Sequence, residues 1–215
     1  MLNRRITSLF TAMVLGSSAV VAATGSATAA QGEPLGKRSL AKVLAADGSG
    51  FDRKANDFDI LENAVAAVLA AKPDSPVGVV TKGGVRLTAF APTDGAFRRL
   101  VDDLTGETYV REQRVFRVLA KTAGIDTIES VLLYHVVPGE VITNKQARQA
   151  DGAELPTALE DATVTVRVRD DGRVALVDAD RNDRNALLIG ALKDINKGNR
   201  QIAHGITQVL RPVDL

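Results

Sequence analysis

His135 and His204 are the only imidazoles in the 215 residues, and the chain contains no cysteine. Thiolate nucleophiles, disulfides, zinc–thiolate sites and iron–sulfur clusters are thereby excluded, and a three-histidine metal site cannot be built from one chain. Hydrolytic chemistry would have to pair one of these rings with a serine, and Ser39, Ser49, Ser75 and Ser130 are the serines after residue 30. None sits in a G-x-S-x-G turn, and no Walker A loop, G-x-G-x-x-G or H-E-x-x-H segment occurs. Asp178-x-Asp180-x-Asn182 has the opening spacing of a calcium loop. Asp183 stands where the sharp turn needs glycine, however, and Ile189 where a bidentate glutamate is required. The segment reads as a solvated polar loop, with a calcium-stabilised domain as the alternative. Arg111, Arg114, Arg117 and Lys121 fall on one side of a helical stretch, opposite Val115, Phe116, Leu119 and Ala123. That side could attract an anionic polymer such as an acidic glycan. The expectation is the solvent face of an amphipathic helix, with Glu112 moderating its charge.

The elements that must position these groups follow from periodicity. Asp59-x-x-Glu62 has the form of a capping box, and Leu61, Ala64, Val65 and Val68 continue at helical spacing until Pro73. Alternation from Val85 to Phe90 predicts a strand, and Thr93 an N-cap for a short helix through Leu100. A helix from about Val110 to Ala123 should stop at Gly124, and Asp126-x-x-Glu129 should open the next one. Pro138-Gly139 marks a turn. Val164, Val166 and Val168 alternate with polar residues, and Asp171-Gly172 predicts a two-residue hairpin turn into Val174–Val177. Segments 186–189 and 202–210 complete a largely antiparallel set. Helices first and strands later in one unit give an α+β class.

Composition agrees with a folded chain: 45% hydrophobic and 25% charged residues, but only 4% aromatic, so the core must be aliphatic. Residues 1–30 read as a signal peptide: Arg4-Arg5, an apolar stretch from Ile6 onward, then Ala27-Thr28-Ala29 as a cleavage site. Export by the general or the twin-arginine route fits equally. Glycine, serine and threonine interrupt the stretch, so no stable membrane insertion is expected after cleavage. Without Arg4 and Arg5 the remaining 25 basic residues face 26 acidic ones, which gives nucleic acid no electrostatic footing. Residues 31–38 read as a linker, and 39–215 as a single domain.

Three segments carry a family resemblance. Thr88-Ala89-Phe90-Ala91-Pro92-Thr93-Asp94-Gly95-Ala96-Phe97, Leu132-Leu133-Tyr134-His135-Val136-Val137-Pro138-Gly139 and Ala203-His204-Gly205-Ile206-Thr207-Gln208-Val209-Leu210-Arg211-Pro212 resemble the opening, central and closing signatures of the fasciclin (FAS1) domain. Gly205 and Thr207 stand where the family usually has apolar and acidic residues, and Arg200 rather than Asn199 lies four before His204. The resemblance implies a FAS1-like fold, with helices packed on a wedge of two mainly antiparallel β-sheets. It also implies a non-catalytic adhesion module that attaches to a cell-surface, matrix or glycan partner, without metal or cofactor. Phe90, Pro92, Thr93, Phe97, Pro138, Gly139 and His204 would be its structural signature. Tyr134, His135, Asp194 and Ile195 are the binding residues it implies, since an Asp-Ile pair and the Tyr-His segment serve integrin binding in animal relatives. Alanine-rich and arginine-rich composition behind a simple signal peptide points to a bacterial secreted member. A secreted hydrolase using a serine with His135 or His204 is the alternative from another class. From their positions, both rings are expected to be buried hydrogen-bonding groups, His135 at least half so.

Overall fold

A computed structural model describes residues 34–48 and 50–214, which form one compact unit. The expected signal peptide, Gln31–Glu33, Ser49 and Leu215 lie outside the described residues. Short α1 (Leu40–Leu44) starts at Ser39, whose hydroxyl accepts from the Lys42 amide. Helix α2 (Asp59–Ala71) is followed by a 3-10 helix (Pro76–Thr81), β1 (Leu87–Pro92) and α3 (Asp94–Thr105). Helix α4 (Glu112–Tyr134) is two helices meeting at Gly124, whose φ of 74° breaks the helical path where glycine was expected to end it. Strand β2 (Val136–Pro138) and short α5 (Asn144–Ala147) follow, then β3 (Glu154–Pro156), β4 (Thr163–Val168), β5 (Val174–Val177), β6 (Ala186–Leu187) and β7 (Gln201–Ile206).

Two sheets result, ordered β2-β1-β7 and β3-β4-β5-β6. Every pairing is antiparallel except β1 with β7, which run parallel from Leu87↔Gln201 to Pro92↔Ile206. Alternation along β1 decides what each face buries. Leu87, Ala89 and Ala91 belong with the helices, in a core that includes Ile60, Val68, Phe97, Val115 and Leu132. Phe90 turns the other way, into a second core between the sheets with Tyr134, Val164, Val166, Leu176 and Ile206. Gly205 has a packing cause: a Cβ there would lie 2.6 Å from the Leu192 Cβ, so an apolar side chain is not tolerated.

Several local expectations are overturned by long-range partners. Neither capping box forms. Phe58 is the residue before α2, and the Ile60 amide donates to Asp94 Oδ1 (2.9 Å) from another helix. Glu129 takes Lys72 (2.6 Å) and the Ser75 hydroxyl (2.5 Å) instead of its own helix start. Thr93 is the N-cap of α3 by position, but the carbonyls of Asp57 and Ala55 accept from the first two amides, Asp94 and Gly95. The β4–β5 turn has three residues, 170–172, closed by Arg169 N to Arg173 O and Gly172 N to Arg169 O. The end of the expected linker is docked: Gly36 pairs with Asn199, and the Arg38 amide donates to the Asn199 side chain. Glu112 is 0% exposed, so it moderates nothing on the solvent face.

Candidate functional site

The Tyr-His segment closes α4 and enters β2, which puts both rings at the seam between the cores. Tyr134 is 1% exposed and its hydroxyl donates to the Thr163 carbonyl (2.8 Å), tying α4 to the second sheet. Burial pushes its phenol up to about 12. His135, 4% exposed, meets the Val131 carbonyl with Nδ1 (2.7 Å), and its Nε2 accepts from the Leu210 amide (2.9 Å). A carbonyl can only accept and an amide only donate, so the ring is the neutral Nδ1–H form. Burial depresses its pKa to about 4. His204, 1% exposed, is the mirror case: Nε2 meets the Ile142 carbonyl (2.8 Å) and Nδ1 accepts from the Asp194 amide (3.2 Å). Burial lowers its pKa as well. Both rings are buried hydrogen-bonding groups, as their positions predicted. The hydroxyls of Ser75 and Ser130 donate to Glu129 and to the Asp126 carbonyl, so neither is bonded to an imidazole.

Asp194 and Ile195 lie together on a tight turn leading into β7. Asp194 and Asn196 hold φ of 55° and 66°, in the left-handed region that Asp and Asn accept more readily than other residues with side chains. Four anchors hold the turn. Asp194 Oδ1 accepts from the Asn144 amide (2.7 Å), and its own amide holds His204. Asn196 Nδ2 donates to the Arg38 and Gln201 carbonyls, both at 2.8 Å. Ile195 pairs with Ala203 and is partly buried against the helical core, whereas Lys193, Lys197 and Gly198 are exposed. The structure thus links His204 directly to Asp194. The side chains of Tyr134 and His135 are buried and not presented to a partner.

The calcium-like acids converge on an arginine that the sequence reading left unremarked. Arg211, 5% exposed, bonds Asp180 Oδ2 (3.0 Å) and Asp103 Oδ2 (2.7 Å), with Asp183 Oδ2 at 3.4 Å. Its amide donates to Asp178 Oδ2 (2.8 Å), while Asp180 Oδ1 accepts from the Asn182 amide. The segment is not the solvated loop expected at Asp180, which is 2% exposed, and the oxygen that the calcium alternative would use faces a guanidinium. A second acidic group, also unforeseen, gathers at the starts of three helices: Asp57, Asp94 and Glu112 bring oxygens within 4.8 Å of one another. Glu112 is paired with Arg98 (2.6 Å) and accepts from the Asp52 amide (2.5 Å). Asp94 Oδ2 and Asp57 Oδ1 are buried without a hydrogen-bond partner. Burial first, then the Asp57 side chain, which can share the proton in a hydrogen bond, and then the charges of Glu112 and Asp57 raise the Asp94 carboxyl to about 8, so it holds a proton at neutral pH. These hard oxygens could hold a cation by donor type, but that proton already relieves part of the repulsion. The basic residues Arg111, Arg114, Arg117 and Lys121 are all exposed, with Arg114 over the Tyr109 ring at 4.7 Å.

Comparison with known proteins accords with this arrangement. A fasciclin domain model matches residues 61–212. Among solved structures, the FAS1 domain pair of the insect cell adhesion molecule Fasciclin I superposes with a TM-score of 0.51 at 16% identity, over 82% of this chain. The chain spans 51% of that structure's length, and at this identity the likeness speaks for the fold alone. No curated protein sequence matches the chain.

Proposed function

The chain belongs to the fasciclin domain family, a family of cell-adhesion-type modules, and from that premise we propose that it is a secreted, non-catalytic attachment protein whose contact surface is the 193–199 turn. The partner class is a cell-surface, matrix or cell-wall component, glycans included. The observation that carries this reading is the anchored left-handed turn itself. Asp194 and Asn196 are held at positive φ by bonds from their side chains to backbone groups of three other segments, while Lys193, Lys197 and Gly198 face solvent. A turn fixed by so many bonds presents a preformed loop that loses little entropy on binding. Asp194 and Ile195 act by shaping the loop, and His204 by holding the Asp194 amide. Tyr134 and His135 act one layer further in, as the buried frame between the sheets. The hydrolase alternative finds no support in the hydrogen bonding, because all four imidazole nitrogens meet backbone groups.

The test is retention of the protein lacking residues 1–30 on cell-wall fractions and a glycan array, beside a Lys193→Glu/Lys197→Glu variant. Both lysines are exposed, so the variant should keep its melting temperature and lose most of its retention. Equal retention would remove the turn from the contact surface. Turnover of ester, peptide or glycoside substrates that His135 or His204 variants abolish without unfolding would overturn the non-catalytic reading.

A further inference from the structure

A cavity of about 280 Å³ opens between α1, α2, the 3-10 helix and β1. Its origin lies in the sequence of β1: the strand face that supports these helices carries Ala89 and Ala91, where Leu-sized side chains would fill the space. Half-buried Leu44, Val65, Leu69 and Val80 form the walls, and exposed Ala45, Ala66 and Thr81 also line it. A volume near the lower end of small-molecule sites, lined almost wholly by hydrocarbon, is the ordinary form of a ligand pocket. The wall offers a ligand very little polar bonding. Both nitrogens of His135 are committed to Val131 and Leu210, and the one acid, Glu62, has an interaction within the protein. A polar ligand atom placed inside would lose its water without replacement. The occupant is therefore a hydrocarbon chain whose polar end stays in solvent.

Charge selects that polar end. Segments 37–44 and 76–86, which supply α1, the 3-10 helix and their flanks, contain Lys37, Arg38, Lys42, Lys82 and Arg86 and no acidic residue. An anionic head would sit well among them. We propose that this cavity binds the acyl chain of a single-chain fatty acid, with its carboxylate held at the surface near Lys42 and Lys82. The site is separate from the 193–199 turn and does not depend on the attachment reading.

The experiment is calorimetric titration of the protein lacking residues 1–30 with sodium dodecanoate below its micellar concentration, beside dodecyltrimethylammonium. Saturable one-to-one binding of dodecanoate is expected, with at least tenfold weaker binding of the cationic amphiphile. Ala66→Phe adds a ring at an exposed lining position without touching the core, so it should weaken dodecanoate at least tenfold at an unchanged melting temperature. Ala89→Leu should fill the floor with the same effect, and if that variant does not fold, Ala66→Phe decides. Lys42→Glu/Lys82→Glu should reduce affinity severalfold. Non-saturable uptake, equal binding of both amphiphiles, or full affinity in Ala66→Phe would each overturn the proposal.

Discussion

Two buried knots in this molecule have nearly the same ingredients, one arginine and three carboxylates, and opposite outcomes. At the closing end of the chain Arg211 sits centrally and touches Asp103, Asp180 and Asp183. At the helix starts Arg98 reaches only Glu112 and leaves Asp94 Oδ2 and Asp57 Oδ1 without partners. The first knot gathers its three carboxylates around one guanidinium, whereas the second pairs one carboxylate with a guanidinium and holds a proton on another. Position, more than composition, decides which buried acid group is inert and which one titrates.

Removing the central cation should break the first knot outright. Arg211→Met leaves Asp180 buried beside Asp183 with no counter-charge, and truncating one partner of a buried pair costs about 3–5 kcal/mol. A fall in melting temperature of more than ten degrees is expected. A fall no larger than that of an exposed arginine variant such as Arg114→Ala would show that the knot contributes little.

His135 supplies the reference case of a buried polar group satisfied without charge. His135→Ala strands the Val131 carbonyl and the Leu210 amide and leaves a void, so it should cost about 1–3 kcal/mol, less than Arg211→Met. Retention on cell-wall material should fall only as the folded fraction falls. Retention lost at an unchanged melting temperature would make His135 a contact residue and break its assignment to the frame.

Titration separates the two knots. The folded chain holds the Asp94 proton up to about pH 8, whereas an ordinary aspartate releases it near 3.8. Its contribution to stability is therefore complete at low pH and is lost as pH rises through 8. The histidines have the opposite sign. Folded His135 stays neutral down to about 4 against an ordinary 6.5, so its contribution is complete above 6.5 and is lost as pH falls toward 4. Between 4 and 6.5 the two trends oppose one another, with His204 adding to the histidine side and Asp178, raised to about 6 by burial, to the aspartate side. Above 6.5 Asp94 acts alone among these groups. Stability should drop by up to about 2 kcal/mol between pH 6.5 and 8, at about 1.4 kcal/mol for each unit. Asp94→Asn keeps an oxygen for the Ile60 amide and should flatten that limb, which a pH series of melting curves would read. A limb of unchanged slope in the variant would remove Asp94 as its source.

What the sequence made legible follows the same division between local and distant causes. The β4–β5 hairpin and the burial of His135 were readable because alternation, turn residues and an apolar helix end are local signals. The parallel pairing of β1 with β7 was not, since strands more than a hundred residues apart leave no periodic mark of their register. Glu112 was misread for a related reason. Its helix shows a clear basic face, but the partner that buries Glu112, Arg98, comes from α3. Asp59 and Glu129 had capping-box spacing and lost that role to geometry set by Asp94, Lys72 and Ser75. Of the site, Asp194 and Ile195 came from family resemblance, whereas the left-handed backbone of their turn falls on Asp194 and Asn196, residue types that accept it, a signal too common in loops to single out this one.

The smallest expected effect is that of calcium, and it sharpens the comparison most finely. Asp178, Asp180 and Asn182 have the opening spacing of a calcium loop, yet Asp180 Oδ2 bonds the Arg211 guanidinium and Asp178 Oδ2 the Arg211 amide. A divalent cation there would have to displace a fixed positive charge, so its affinity should be negligible at millimolar concentration. Adding calcium or a chelator should leave the melting temperature unchanged, because a ligand that binds the folded state must raise it by mass action. Should calcium raise it, Asp94→Asn tells the knots apart. A rise that survives the variant belongs to the Arg211 knot and contradicts the reading that its guanidinium keeps a cation out. A rise abolished by the variant belongs to Asp57, Asp94 and Glu112, where the cation would be replacing the Asp94 proton. That second outcome should weaken as pH falls below about 8, where the Asp94 proton competes for the same oxygens.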